Sequence, residues 1–599
     1  MTTLGPTFAM IKGEPINVLD YGADPTGSAD STTAIQTAFQ KGTHIYFPKG
    51  TYKVTQVGQI ILDATTADSA SITGQDAIIN ASSITATTVG NVIQINGNTS
   101  LKLYIANIQI NGNYQDTSVQ ATDATTGLRI TVADELDIEN ITIQDFSFNN
   151  LTIATLDVYP TINPAIVSRG SIRNCKFYRA MYSNLNVYGN KYEISNIEST
   201  YAGRPGLGIN YGGYGVNAQG FYITIKDSNF ENNGRYNIDV RNAQNVLVDG
   251  NNCYAAGWYH VNAYNEIDVK AFSSGRFVNN TFDGAGVSAG GIKAGAVNSS
   301  STVDVREVVV INNTFRNLYS TAEGYGVVIS CDNTHRPLKV LINDNIFYSN
   351  SIAGKAIEIS NNTTNTQIDY VEILGNYIKD SSYISSGGAY NVNIANNYIE
   401  SNNVVYTTGI YVAPNFGLGL MAIVKNNILQ TTNDSFFTNA VDVEAFVNQD
   451  VSDNYVNGRE FGSPQSVTKV FSISGTGAST NFATIEGNGA VVGLKINWMA
   501  STGTSTSTTV ETGECILSTT ILGPSATPVL PSTSPYTIPQ IATSKTVGTT
   551  YTLSTSFVAT ITGSTVVLSA TATTNSGGTI VVNATISAIL NVDGIITTL

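Results

Sequence analysis

Charge, sulfur and basic clusters are all scarce in this 599-residue chain. Only 12% of its residues are charged, and 44 Asp and Glu against 29 Lys and Arg leave a net charge of −15. Recognition of a nucleic-acid backbone needs clustered cations, so no nucleic-acid partner is expected. Four cysteines and three histidines supply neither a disulfide framework nor a CxxC metal site. Cys175 and Cys253 fall inside apolar repeats, where a thiol acts as a small hydrophobe. No cofactor and no metal are expected. No segment is long and apolar enough to span a membrane, and residues 1–15 lack a basic start followed by an apolar run, so neither membrane insertion nor an export signal is expected.

What is present is a repeat. The chain is 42% hydrophobic, with 54 glycines and 31 tyrosines, which suits a large all-β core with many turns. Between residues 105 and 456 one six-residue phrase returns, with apolar ends around a central Asn, Asp or Gly. It reads VINNTF from Val310, INDNIF from Ile342, ILGNYI from Ile373, IANNYI from Ile394, VKNNIL from Val424 and VSDNYV from Val451. Looser copies begin at Ile105, Ile138, Ile172, Ile194, Ile225, Val248 and Phe277. The 13 starts are separated by 21 to 34 residues, the mark of a stacked solenoid. The apolar residues alternate as strands do, with no 3.6-residue period between copies. Asn280, Asn313, Asn345, Asn376, Asn397, Asn427 and Asn454 recur once per coil. Since Asn tolerates left-handed backbone and bonds neighbouring backbone, these residues are expected at the corners, stacked as an Asn ladder.

Residues Ile16 to Tyr52 read INVLDYGADPTGSADSTTAIQTAFQKGTHIYFPKGTY. Asp30 and Ser31 are candidate caps of a short helix through Gln40, with Ala34, Ile35, Ala38 and Phe39 as its apolar face and Gly42 beyond its end. Such a helix would close the open end of a stack of coils. The combination VLDYGADPTG, DSTTAIQ and IYFPKGTY closely resembles the start of the pectate-lyase-3-like right-handed parallel β-helix family, above all its bacteriophage tailspikes and capsular-polysaccharide depolymerases. The repeat extends the resemblance to about residue 460.

The resemblance implies a single-stranded parallel β-helix acting on a bacterial surface polysaccharide. It also implies a homotrimer in the virion tail, held to other phage tail proteins through the N-terminus. It does not reach catalytic residues, because the N-T-D, D-D, G-H-G and R-I-K signatures of polygalacturonase-type relatives are absent. The expected organisation is an N-terminal peptide over 1–15, an opening and capping segment over 16–60, the β-helix over 61–464 and a C-terminal antiparallel, sandwich-like β domain over 465–599, for trimerisation or carbohydrate binding. In that last part charge is low and Thr, Ser, Val and Gly alternate, as in Thr579 to Ile586, while Ser501 to Thr509 and Pro524 to Pro539 read as loops.

Site residues follow from aligning one strand of each coil. In Asn184 to Val187, Asn237 to Val240, His260 to Ala263, Gly291 to Ala294, Gly326 to Ile329, Ala356 to Ile359, Gly409 to Val412 and Ala440 to Val443, the second and fourth residues point inward. The outward ladder is then Asn186, Asp239, Asn262, Lys293, Val328, Glu358, Tyr411 and Asp442, flanked by Asn237, Arg241, His260 and Tyr264, with a spacing of about 4.8 Å per consecutive coil. Asp239, Glu266, Asp268 and His260 are the candidate catalytic residues. Arg241, Asn262, Tyr264 and Lys293 are candidate contacts to an acidic sugar, and Trp258, Tyr259, Tyr211 and Tyr214 are candidate sugar platforms. Glu358 is expected at a remote subsite, and His335 beside Asp332 and Arg336 is a second candidate site. Plentiful outward carboxylates favour an endo-acting hydrolase. The alternatives are a lyase, with His260 or Tyr264 removing a proton and Arg241 or Lys293 neutralising a uronate, and a non-cleaving adhesin using the same groove.

Overall fold

The computed structural model describes residues 14–84, 89–114, 125–153, 167–203, 214–240, 245–257, 259–265, 274–285, 290–296, 306–320, 325–331, 339–348, 351–352, 355–361, 368–380, 383–400, 408–414, 419–430, 440–444 and 446–456, and the backbone of the C-terminal strands given below. These residues form two compact units. The first comprises Met1–Asn393, Val412–Met421 and Glu444–Val447, and the second Ile394–Tyr411, Ala422–Val443 and Asn448–Leu599.

The first unit is a parallel β-solenoid. The start of each repeat stacks on the next in strict register: Ile105 on Ile138, Ile172, Ile194, Ile225, Val248, Phe277, Val310, Ile342 and Ile373. Every one of these side chains is fully buried. The last residue of the phrase makes a second inward row, in which Phe230, Cys253, Phe282, Phe315, Phe347 and Ile378 follow one another. The rings of Phe282, Phe315 and Phe347 stack with centroids 5.1 and 4.6 Å apart. Each such side chain contributes about 1.5–3 kcal/mol on burial, so the two rows supply much of the core. Cys175 and Cys253 are buried free thiols; burial pushes Cys175 up to about 12 and raises Cys253 as well.

The corner differs from expectation by one residue. The left-handed residues are Asn279, Asn312, Asp344 and Gly375, with φ from 56° to 65°, each one position before the repeating Asn. Asn251, Asn280, Asn313, Asn345 and Asn376 are instead buried amides. Each of the first four donates through Nδ2 to the next Oδ1, at 3.0, 2.9, 3.0 and 3.0 Å. The backbone N–H of each donates to the same oxygen. The ladder therefore satisfies corner backbone that would otherwise be buried without a partner, and the left-handed geometry falls to the exposed residue before it, where Asn, Asp and Gly interchange.

The N-terminal helix α1, Thr32–Phe39, buries Thr32, Ile35, Ala38 and Phe39. Ser31, at its N-cap, makes no capping bond through its side chain; Asp30 accepts from the Thr32 N–H at 3.0 Å, while the Ser31 hydroxyl accepts from the Asp24 N–H at 2.9 Å. Gln36 makes an amide pair with the backbone of Ile61, accepting its N–H at 2.8 Å, and so takes the place of a neighbouring strand at the edge of Ile60–Asp63.

In the second unit Asn397, Asn427 and Asn454 form the same amide ladder, with both Nδ2 to Oδ1 bonds at 2.9 Å. Tyr398–Glu400, Ile428–Gln430 and Asn454–Val456 are parallel neighbours. Arg459–Phe461 then pairs antiparallel with Asn454–Val456. Beyond it lie two antiparallel five-stranded sheets. One has the order Pro464–Ser474, Thr579–Leu590, Val491–Thr504, Ser507–Leu517, Gln540–Thr546. The other runs Tyr536–Thr537, Leu553–Thr562, Thr565–Thr574, Ser479–Glu486, Ile595–Thr598. The expected loop over Ser501 to Thr509 is a hairpin instead, with Thr504 opposite Ser507. Its threonines are β-branched and suit strands, and they outweigh the low-complexity appearance.

Candidate functional site

The aligned strands form a continuous ladder in the first unit. From Thr152 the register passes to Asn186, Asn217, Asp239, Asn262, Lys293, Val328, Glu358 and Ser385. Asn217 occupies a coil between Asn186 and Asp239 that the sequence alignment passes over. Asp239 and Glu358 are four steps apart, about 19 Å, and Lys293 stands two steps, about 10 Å, from Glu358.

Pointing outward does not make this ladder solvent-exposed. Asn186, Asp239 and Val328 are buried, Asp239 completely, and Tyr236 and Val328 share an apolar cluster with Tyr182 and Tyr325. Asn237 does not flank an open patch either. Its amide turns to the corner, where Asn233 donates to it at 2.7 Å and it donates to the Tyr254 carbonyl at 3.4 Å. Asn150 and Asn184 likewise reach the carbonyls of Tyr178 and Thr200, at 3.1 and 2.9 Å. Their short amides satisfy backbone left over where the chain turns, and period-two alternation alone does not show this.

Among the expected site residues, Asp239 and Lys293 are thus on one ladder with Glu358, with Lys293 half-buried. His260, Asn262, Tyr264, Tyr259 and Tyr214 are placed by their backbone, in strands Tyr259–Asn265 and Tyr214–Lys226. Glu266, Asp268, Arg241, Trp258 and Tyr211 lie outside the described residues, as do Asp332, His335 and Arg336. Tyr411 and Asp442 are on strands of the second unit.

The best-defined chemistry on the ladder surrounds Glu358. Its side chain is 12% exposed and paired with Lys355. Burial raises its carboxyl above the usual range, against the opposing pull of the Lys355 ammonium. Lys355 Nζ also donates to Ser385 Oγ at 3.2 Å and stands 5.5 Å from the centre of the Tyr383 ring. Burial, and then the Glu358 charge, raise the Tyr383 hydroxyl. A carboxyl that holds its proton to higher pH is suited to protonating a leaving group, and the neighbouring ammonium to binding an anion. The ladder positions on either side of Glu358 are Val328 and Ser385, so neither brings a second carboxylate. Lys355 and Tyr383 were not singled out in the sequence, although Lys355 stands three residues before Glu358, just ahead of the aligned segment Ala356 to Ile359.

Residues 15–259, less than half of the chain, match the family model described as rhamnogalacturonase A/epimerase, pectate lyase-like. No curated protein matches the sequence. Among solved structures, the chain is similar to a tailspike protein mutant of E. coli bacteriophage HK620, with 12% identity, TM-score 0.44 and coverage of 98% of this chain and 92% of that one. The capsular polysaccharide depolymerase gp49, a tailspike of Acinetobacter baumannii bacteriophage Fri1, gives 11%, TM-score 0.31 and coverage of 98% and 88%. The mannuronan C-5 epimerase AlgE6 A-module of Azotobacter vinelandii gives 13%, TM-score 0.36 and coverage of 74% and 98%. Residues 15–259 thus carry a pectate-lyase-like sequence pattern on coils of parallel β-helix.

Proposed function

We propose that the chain is a tailspike depolymerase that binds a bacterial capsular or exopolysaccharide and cleaves it internally by glycosidic hydrolysis during host adsorption. The observation that carries this reading is the match of residues 15–259 to a family model named for pectin-type polysaccharide enzymes. Glu358 takes the role of general acid in preference to Asp239, because it combines a raised carboxyl with residual exposure and a neighbouring cation, while Asp239 is completely buried. Lys355 and Lys293 would hold acidic groups of the sugar. Glu266, Asp268 and His260 remain proposed members of the site. A partner carboxyl about 5–5.5 Å from Glu358 would give retention, and one at about 6.5–9.5 Å inversion.

A lyase is the second reading. It is favoured by Lys355 against Glu358 and Lys293 two ladder steps away, with no carboxylate at the neighbouring ladder positions, since β-elimination needs a base and charge neutralisation at a uronate rather than two acids. The chain would act as a homotrimer, with the C-terminal sheets as the locking or carbohydrate-binding part, helix α1 as the lid of the coils, and the N-terminus as the attachment to other tail proteins. Incubation of the purified chain with acidic capsular polysaccharides tests the function. Shortening with new reducing ends supports hydrolysis, and shortening with a new ultraviolet-absorbing C=C bond supports elimination. Binding that never shortens the polymer would leave an adhesin.

A further inference from the structure

On a different series of strands from the ladder, the solenoid carries a groove of about 370 Å³. It lies between two outward rows that run from coil to coil. One row is Lys102, Glu135 and Arg169, continued by Lys191; the other is Tyr104, Asp137, Ser171 and Glu193. Each row covers three steps, about 14 Å, and the rows are two residues apart along the strands, about 6.7 Å. This channel is too narrow for a helix, whose diameter is about 10–12 Å, and suits one extended polar chain.

Its chemistry is divided between the rows. Three of the four residues in the first row are cations, and Lys191 is exposed with no hydrogen bond or ion pair among the described residues. Lys102 and Arg169 both lean on one carboxylate, Glu135. The second row offers acceptors. Asp137 is held by Arg173, which also takes Glu139 at 2.7 Å, and Glu193 is held by Lys226 at 2.8 Å. Tyr104 donates to Glu139 at 2.5 Å, which pushes its hydroxyl up to about 12 and keeps it a neutral phenol. At the end of the cationic row Tyr222 pairs with Lys191 on the next strand and is 55% exposed. An exposed ring beside the Lys191 ammonium, with the fixed carboxylates of Asp137 and Glu193 in the facing row, meets the needs of a sugar chain: a stacking face, acceptors for its hydroxyls and a cation for its carboxylate.

We propose that this groove is a second, non-catalytic binding site for an acidic oligosaccharide, lying parallel to the solenoid axis with its carboxylates toward Lys191 and Lys102 and its terminal ring on Tyr222. The choice of ligand class rests on the function proposed above, but the site itself does not include the ladder.

The test measures hydrogen exchange and binding with galacturonate and alginate oligomers of about eight residues, beside their carboxyl-reduced forms. The uronate oligomers should protect 102–106, 135–139, 169–173 and 191–195, and the reduced forms should not. Lys191→Glu should weaken binding about tenfold or more, the cost of one charged contact, and Tyr222→Ala should weaken it without altering salt dependence. Both residues are exposed, so neither change should affect folding. Both variants should still cleave polymer if the chain is a depolymerase. No binding by the native chain, binding without protection of these strands, equal binding of the reduced forms, or loss of cleavage of short oligomers in Lys191→Glu would each overturn the secondary site. None of the binding results bears on cleavage at the ladder, which Glu358→Gln tests separately.

Discussion

Replacement of Asn313 by Ala should cost far more than replacement of its neighbour Asn312 by Gly, although both positions are Asn in the same corner. The Asn313 amide oxygen accepts from the backbone N–H and from Nδ2 of Asn280, both at 2.9 Å, and its own Nδ2 donates to the Phe277 carbonyl at 2.8 Å. Alanine leaves two donors of Asn280 without an acceptor in a site from which water is excluded. At about 1–3 kcal/mol for each orphaned group, the loss is about 2–6 kcal/mol. Asn312 has φ 56° and is exposed, and the equivalent corners already hold Gly250 and Gly375 at φ 66° and 65°. Glycine there relieves left-handed strain and loses one exposed bond, to Asn279 at 2.7 Å, for a net change within about 1 kcal/mol. Native-state hydrogen exchange over 307–316 is the assay, because opening is local in a stack of coils and a single melting temperature would average over it. Asn313→Ala should lower protection at least about thirtyfold, the equivalent of 2 kcal/mol. Equal effects at the two positions, or a larger one at Asn312, would refute the assignment of separate roles.

Further expectations concern titration, thiols and assembly. Because burial raises the Glu358 carboxyl, its protonated form is favoured by folding; that contribution is present below the ordinary value of 4.5 and is lost as pH rises through the folded value. Glu358→Gln should therefore gain thermal stability relative to native only above this window while turnover falls about 10²-fold or more, and a variant that loses stability at neutral pH would contradict it. Asp24 is lowered to about 2 by the Ala29 and Thr26 N–H groups, so its stabilisation of the opening turn is present above pH 3.8 and should fade toward pH 2, seen as a loss of exchange protection in 24–31 that Asp24→Asn no longer shows as pH changes. Cys175 and Cys253, buried with raised thiols, should resist alkylation until unfolding, read residue by residue by mass spectrometry. Light scattering should give three times the 63.5 kDa chain mass, and a single-chain mass would reject the trimer.

The inward rows were legible because both ends of the repeated phrase are apolar at fixed spacing, and a parallel stack must align equivalent positions. The corner was legible to within one residue. Doubled Asn, as in Asn279–Asn280 and Asn312–Asn313, hides which member is left-handed. The signal is in the less regular copies, INDNIF and ILGNYI, where Asp344 and Gly375 replace the first Asn and the second is retained. The ladder register from Asp239 to Glu358 could be read from alternation, but burial could not. Whether a side chain that points outward reaches solvent depends on what packs around it, and residues such as Tyr236, Val328, Tyr182 and Tyr325, which cluster together, come from separate coils. The roles of the Asn150, Asn184 and Asn237 amides could not be read for a related reason: carbonyls on later strands, those of Tyr178, Thr200 and Tyr254, claim them.

The energetics separate the parts of the molecule that hold it together from those available for recognition. Exposed ion pairs contribute about 0–1 kcal/mol each, so the pairs of Lys102, Arg169 and Lys226 with their carboxylates are dispensable for folding. The amide ladder and the inward Ile and Phe rows are not, since their loss orphans buried groups or leaves cavities. Outward positions can therefore change without unfolding the coils. They nevertheless inherit the solenoid's geometry, in which any two neighbours in a row are about 4.8 Å apart. A surface that repeats at a fixed interval along one axis can present equivalent contacts to successive units of a chain molecule, which an isolated pocket does not. The Glu358 region adds an element that a repeating surface lacks, a largely buried carboxyl raised by burial beside an ammonium. On this argument polymer binding should be spread over several coils and tolerate single surface substitutions, whereas bond cleavage should be lost with one carboxyl.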